Sequence, residues 1–534
     1  MSFLYHSLLS PIVFAIAAYL FYKNEFNGLL FLLGGFLLFN RHFAYIHINL
    51  GTIPLYITEF CLLMWISRIL IFKRNEMKMK INSMDRLFLL FWGIFFLIGV
   101  FSFLRGLFVS SFLKAGRDMA LVYYSVSIFL VYLLNLSNVQ RKKMFLVLAN
   151  ILLLRIFLRF LFVLFGSESA WLTSFFGQEA ASSAYLSIAL LVVLAFDEFR
   201  FQPKWKIFWC FILLWNIFVE LVRSSWVGLI AGLLFLVVAY FIIYKKKIST
   251  DSLKWMFLLF LLACLILVFL PQNKKGQSLY GRVAREIGTF SRILKSSNVQ
   301  TRLLMWEDAV SEVVSTGLYS SGLAFHELNK YELPKSKLPK DIDQDTLIRI
   351  ETVSLEKPEE SKDGKSRGGG QIVMQIRPLA KGLRNKIVRI VVRDKDKSLI
   401  ADSIGSCFRM LFGIPMGKPF LPPQVVYRLN SPYRYDPHNS VIAIFYRMGF
   451  IGLFAFIGMI VFVYIQIFRL KIKRKYISHD FHLLVAAGAG MTYVLVHSLT
   501  DVVLENSFKG LWLWIMIGLV MQMVRKIRIK QKLI

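Results

Sequence analysis

Charged side chains are scarce in this chain, at 18% of 534 residues, where a soluble domain carries about 25%. Acidic residues are scarcer still: 32 Asp+Glu stand against 64 Lys+Arg, giving a formal net charge of +32. So little charge excludes a soluble globular protein. The 57% of hydrophobic residues, with 50 Phe, excludes a disordered one. Only four cysteines occur. Cys61, Cys210 and Cys264 fall in apolar segments and Cys407 in a polar one, and no pair has metal-ligand or redox spacing, which argues against a disulfide framework or a zinc site. A basic n-region and a small-residue cleavage site are both missing before Tyr22, so the first apolar stretch reads as a retained helix. No internal repeat of solenoid type is present. What is left is a polytopic membrane protein.

The positive charge sits in short clusters between apolar runs: Lys73-Arg74, Arg141-Lys142-Lys143, Lys245-Lys246-Lys247, Arg469 to Lys475 and Arg525 to Lys532. Nucleic-acid binding would gather it on one face instead. A span needs about 20 mostly apolar residues. Candidates are about 7–22, 27–40 (short), 52–72, 86–104, 118–135, 143–165, 181–197, 205–221, 224–244 and 254–271, then about 439–468, 481–499 and 508–525. That predicts an all-α polytopic protein of about 12–13 transmembrane helices. Basic residues concentrate in alternate loops and in the C-terminal tail, which puts that tail in the cytoplasm and the long interval 272–437 outside. The chain thus divides into an N-terminal bundle (1–271), an external loop (272–437) and C-terminal helices with a basic tail (438–534).

Within the external interval, residues 281–325 have a helical pattern. Alternating apolar and polar residues at 345–355, 371–378 and 386–393 predict strands, and the turn-rich Lys362 to Gly370 lies between the first two. A small β-rich insert is expected at about 330–430.

Charged residues inside apolar runs need a reason. Arg155 and Arg159 stand four apart and share a helix face, about 18 and 24 Å from a cytoplasmic start at Lys143. They either snorkel or pair with a carboxylate such as Glu59, or they face a cavity that holds an anionic headgroup. Arg223 opens Arg223-Ser-Ser-Trp226 in a tight external turn, where an interfacial Arg beside an interfacial Trp is the plain alternative. In Thr301-Arg302-Leu-Leu-Met-Trp306, Arg302 and Trp306 have a spacing at which they can simply cover each other. Asp436-Pro-His438-Asn439-Ser440 precedes an apolar helix, with Asn439 or Ser440 as cap. Beside a positive helix end and arginines, His438 is expected to be neutral and able to act as a general base.

In chain order these signals read Arg-Ser-Ser-Trp at a helix start, Arg-x-x-x-Trp in an external loop and His-Asn-Ser at the next helix. Arg447-Met-Gly449-Phe-Ile-Gly452 and Ser498-Leu-Thr-Asp501 follow. Over about 220–525 the sequence resembles the O-antigen ligase and polysaccharide polymerase superfamily of bacterial envelope enzymes. Arg447 departs from it, standing where the family more often has an acidic or neutral residue.

The resemblance implies a GT-C-like membrane glycosyltransferase of the bacterial cytoplasmic membrane, working on its outer face. Such an enzyme moves a glycan from undecaprenyl diphosphate to an acceptor hydroxyl on a glycan or lipid-anchored acceptor, as ligase or polymerase, in lipopolysaccharide or exopolysaccharide biosynthesis. Arg223 and Arg302 are then the diphosphate-binding residues, helped from the membrane side by Arg155 and Arg159, and His438 is the catalytic base. Guanidinium forks suit phosphate oxygens. With arginines in that role no metal or cofactor is required, and inversion at the anomeric carbon is expected. The alternatives are a transporter or flippase for lipid-linked sugars, which the lack of a repeat between the halves disfavours, and a non-catalytic receptor with a β-rich external domain.

Overall fold

The computed structural model describes residues 2–51, 53–76, 84–134, 136–165, 180–195, 203–220, 223–244, 306, 309–310, 313–314, 372–375, 389–392, 408–416, 439–470, 479–501, 503–504 and 506–532. They are overwhelmingly helical. In chain order come α1 (Ser2–Lys23), α2 (Glu25–Phe39), α3 (Arg41–Ala44), β1 (His47–Leu50), β2 (Ile53–Tyr56), α4 (Ile57–Phe72), α5 (Arg86–Leu107) and α6 (Phe112–Tyr123). After a 3-10 turn at Tyr124–Val126 follow α7 (Ser127–Leu133), α8 (Asn138–Phe165), α9 (Ala180–Ala195), α10 (Pro203–Glu220) and α11 (Arg223–Tyr244). Strands β3 (Ile372–Gln375) and β4 (Arg389–Val392) precede α12 (Ser440–Phe468), α13 (His479–Ser498) and α14 (Ser507–Lys532).

Five of the helices, lying in α5, α11, α12, α13 and α14, are long and apolar enough to cross a membrane. Shorter apolar stretches lie in α1, α2, α8 and α9. The sequence expectation of 12–13 spans is therefore carried only in part among the described residues. The 118–135 span is broken into α6, a 3-10 turn and α7. The 52–72 span is helical only from Ile57, because residues 47–56 form a hairpin with His47 opposite Tyr56 and Leu50 opposite Ile53. Gly51 takes φ +65° in its two-residue turn, a conformation that glycine reaches without strain. Residues 254–271 lie outside the described residues. Within the interval 272–437, β3 and β4 pair antiparallel with Ile372 opposite Val392, inside two of the three segments expected as strands. Trp306, 309–310 and 313–314 are helical.

Packing centres on α13, which lies against α9, α11 and α14. Helix α12 packs on α5, and α2 packs on α1 and α8. Large apolar side chains also point outward: Phe454 is 70% exposed and Ile230 66%. In water such faces would be costly, and in lipid they are not.

Long-range polar contacts fall into two sets. One joins Glu25 to Arg68 (3.3 Å) and Lys73 (3.0 Å), Lys530 to Asp480 (2.6 Å), Arg528 to Gln466, and Gln522 to the Val131 carbonyl (3.1 Å). The other joins Arg105 to the Gly413 carbonyl (3.2 Å), Arg447 to Asp118 (3.1 Å), Tyr123 and Tyr124 to Glu59 (2.5 and 2.6 Å) and Ser225 to Tyr493 (2.7 Å). Several of these contacts lie near helix ends, among them Glu25 with Lys73, Lys530 with Asp480, and Ser225 with Tyr493. The first set gathers the ends next to the lysine- and arginine-rich loops.

Helix α12 breaks at Gly449 (φ 64°, ψ −164°). The break frees two carbonyls, and each finds a new donor: Ile414 N–H donates to Tyr446 O (2.6 Å) and Ser102 Oγ donates to Arg447 O (2.6 Å). The segment 408–416 is thereby seated against α5 and α12. A side chain at 449 would collide with the Leu411 carbonyl.

Candidate functional site

At the end of the bundle that carries the second set, α9, α11, α12, α13 and the segment entering α14 converge on one hydrogen-bonded chain. His497, in the last turn of α13, is buried. Its Nε2 lies 3.2 Å from Asp501 Oδ2, and its Nδ1 lies 3.2 Å from Tyr493 Oη. Lys509 Nζ donates to the same Asp501 oxygen at 2.7 Å. An ionised carboxylate only accepts, so Nε2 carries the imidazole proton and Nδ1 accepts from Tyr493. Tyr493 Oη in turn meets Ser225 Oγ at 2.7 Å, and Ser225 Oγ meets Ser187 Oγ at 3.2 Å. A cavity of about 10 Å³, lined by His497, Lys509, Tyr493, Tyr185 and Trp512 among others, adjoins this chain and has room for one water.

Burial alone would raise the Asp501 carboxyl, but the hydrogen bond from His497 and the Lys509 ammonium outweigh it and hold the group below the usual carboxylate range. A depressed carboxylate contributes stability that is fully present above its unfolded value of about 3.9 and fades as pH falls below that. Wild-type protein in detergent is thus expected to lose thermal stability between pH 4 and pH 2 more steeply than Asp501→Asn. Parallel melting curves for the two proteins across that range would disprove the coupling.

Two of the helix starts singled out in the sequence are tied to this chain. Asn439 caps α12, its side chain accepting from the N–H groups of Val441 (3.0 Å) and Ile442 (3.1 Å). Ser440 does other work: its Oγ accepts from Val503 N–H (3.0 Å) and Leu504 N–H (3.1 Å), binding the start of α12 to the segment just after Asp501. His438 itself lies outside the described residues, one position before the cap. Arg223 is the first residue of α11, two positions before Ser225, and its side chain is not among those described. Arg302 lies outside the described residues. Arg159 is within α8, with its side chain likewise not described.

Arg155 is buried, and its guanidinium donates to Leu37 O (2.9 Å) and Leu38 O (3.1 Å), carbonyls left open at the end of α2. A cation there also meets the negative end of the helix dipole. Glu59, the carboxylate weighed as its partner in the sequence, accepts from Tyr123 and Tyr124.

Of this cluster only Asp501 belongs to the Ser498-Leu-Thr-Asp501 motif; His497, Tyr493 and Lys509 lie outside every motif in the sequence. The available signal was the four-residue spacing of His497 and Asp501, which puts them one helical turn apart. No protein family, characterised protein or solved structure matches this chain.

Proposed function

We propose that this chain is a membrane glycosyltransferase of the O-antigen ligase or polysaccharide polymerase kind. It transfers an undecaprenyl-diphosphate-linked glycan to an acceptor hydroxyl on the outer face of the bacterial cytoplasmic membrane. The observation that carries the reading is the pair of serine tethers. Ser225 ties the helix start at Arg223 to Tyr493, and Ser440 ties the helix start after His438 to Val503 and Leu504. The starts of α11 and α12 thus belong to the same end of the bundle. The chain of His497, Asp501 and Lys509 spans the gap between the two tethers.

In this reading the basic loops and the tail face the cytoplasm, and the second polar set faces outward with the 272–437 interval. Arg223 and Arg302 bind the diphosphate as bidentate forks and stabilise the charge that develops on the leaving group. Arg159 reaches the same group from the membrane side, along a helix face oriented by the contacts of Arg155 with α2. His438 takes the proton of the acceptor hydroxyl as it attacks the anomeric carbon, and inversion follows. The flippase alternative would draw on the break at Gly449, since broken helices form transporter sites. That break, however, is filled by the protein's own backbone from 411–414.

Arg223→Lys tests the clamp. A lysine keeps the charge and loses the planar fork, so transfer from a radiolabelled lipid-linked donor to acceptor is expected to fall by about tenfold or more, one charge-assisted hydrogen bond's worth. Wild-type rates in the purified lysine variant would count against diphosphate binding at this position.

A further inference from the structure

Besides the main core of the bundle there is a second, smaller one. Ala309 and Val313 of the interval 272–437, Ile414 of the segment 408–416, and Phe445 and Tyr446 of α12 are buried together, with Ile442 packed against them. Three stretches far apart in sequence meet there. Ala309 and Val313 are one helical turn apart and fully buried, whereas their neighbours Val310 and Val314 are exposed, so this stretch turns one face inward. Ile442, Phe445 and Tyr446 share a face of α12 in the first two turns after its cap.

Ile414 joins the other two stretches. Its N–H donates to the Tyr446 carbonyl at 2.6 Å, and Met416 N–H donates to Ser102 O at 3.2 Å. Between them, the Pro415 carbonyl accepts from Arg447 at 3.1 Å. On the other side Gly413 comes so close to α12 that a Cβ there would lie 2.4 Å from Met448 N. A backbone pinned on both sides cannot follow a neighbour that moves. The Ile414 side chain is therefore a fixed knob between α12 and the 309–313 turn.

That turn belongs to the helical pattern that carries Arg302. Arg302 lies outside the described residues, seven positions before Ala309 and eleven before Val313, which in that pattern is the same face. The other partner is the helix whose start follows His438. Phe445 and Tyr446 are five and six residues past Ser440, about 8 and 9 Å along the axis. One isoleucine thus stands between the two stretches to which the transferase reading gives an arginine and a base.

We propose that Ile414 is a positioning residue: through Ala309 and Val313 it fixes the Arg302 stretch on the first two turns of α12. The proposal deepens the transferase reading and rests on it for the role of Arg302. Ile414 touches no substrate in this scheme. It sets where the diphosphate-binding arginine stands before the donor arrives, and a misplacement of about 1 Å from a change far from the chemistry can cost about 10²-fold.

Full-length protein in detergent provides two readouts: transfer kinetics with radiolabelled lipid-linked donor, and hydrogen exchange of backbone amides. Ile414→Ala is expected to raise exchange in peptides spanning 306–314 by about tenfold or more, with α13 unchanged. It should also raise the KM for donor by about fivefold or more, with the KM for acceptor within about twofold of wild type. Ile414→Val keeps the branched side chain and should restore both values to within about twofold. Val463→Ala is the control, a cut in the main core of the same helix. It should lower thermal stability and leave the donor KM as it is.

A wild-type donor KM in Ile414→Ala would overturn the proposal, and so would unaltered exchange at 306–314. The same rise in donor KM in Val463→Ala would overturn it too, since destabilisation alone would then account for the effect. If Ile414→Ala does not accumulate, Val313→Ala decides in its place, and a donor KM at the wild-type value overturns. Wild-type protein that transfers no glycan, in an experiment where Ile414→Ala still shows the exchange response, would sink the transferase reading and keep the joint. Transfer with neither response in the variant would do the reverse.

Discussion

His438→Ala is expected to lower glycan transfer by about 10²–10⁴-fold, the usual contribution of a positioned general base, while leaving the amount of folded protein unchanged. The separation of the two effects follows from where the residue stands. The cap of α12 is made by Asn439 and the tether to 503–504 by Ser440, so neither depends on the side chain at 438. Asn439→Ala is the contrasting variant. It leaves two N–H groups at the start of α12 without their acceptor and should cost about 1 kcal/mol of stability, with activity falling only as far as the helix start shifts. The measurement is transfer from labelled lipid-linked donor by purified protein, alongside a melting curve. Activity within threefold of wild type in His438→Ala would remove the residue from catalysis, whatever happens in the Asn439 variant.

How far such a site is legible in a sequence depends on the range of the interaction. Helix starts are local matters, and Asn439 was readable as a cap because a side-chain acceptor two or three residues ahead of the N–H groups it serves is a sequence pattern. Apolar runs located α8 to α14 for the same reason. The β1–β2 hairpin was missed because its apolar residues continue the run of the following helix, and hydropathy cannot separate a strand from a helix there. The partners of Arg155 were hidden for a different reason: they are backbone carbonyls of Leu37 and Leu38, which every residue possesses and no pattern marks. His497 stands among mostly apolar residues of α13, and only its spacing of one turn from Asp501 marks the pair in the sequence. The serine tethers were beyond reach, since a hydroxyl that bonds 268 positions away, as Ser225 does with Tyr493, leaves no trace in either neighbourhood.

Arg447 is a second residue whose partners leave no mark in the sequence around it. Its guanidinium pairs with Asp118 at 3.1 Å, with side-chain exposures of 7% and 10%, donates to Pro415 O at 3.1 Å and lies 4.8 Å from the Tyr446 ring. One side chain therefore joins α6, α12 and the seated segment 408–416. Arg447→Met is expected to cost about 3–5 kcal/mol, because it strands a buried carboxylate. Asp118→Leu should cost a comparable amount, because it strands a buried cation. The two losses are not independent. In Arg447→Met with Asp118→Leu no charge is left uncompensated, and exchanging a buried pair for hydrophobic residues is often neutral or better. The double variant should therefore be far more stable than the sum of the single losses predicts, by about 2 kcal/mol or more of coupling. Unfolding in detergent across this four-protein cycle is the measurement. Additive losses would mean that the pair contributes nothing beyond its separate contacts. Coupled losses with intact transfer in the Met/Leu protein would show that the pair holds the 408–416 segment against the Gly449 break and takes no part in the chemistry. Coupled losses with transfer abolished would mean that the charge at 447 itself reaches the donor.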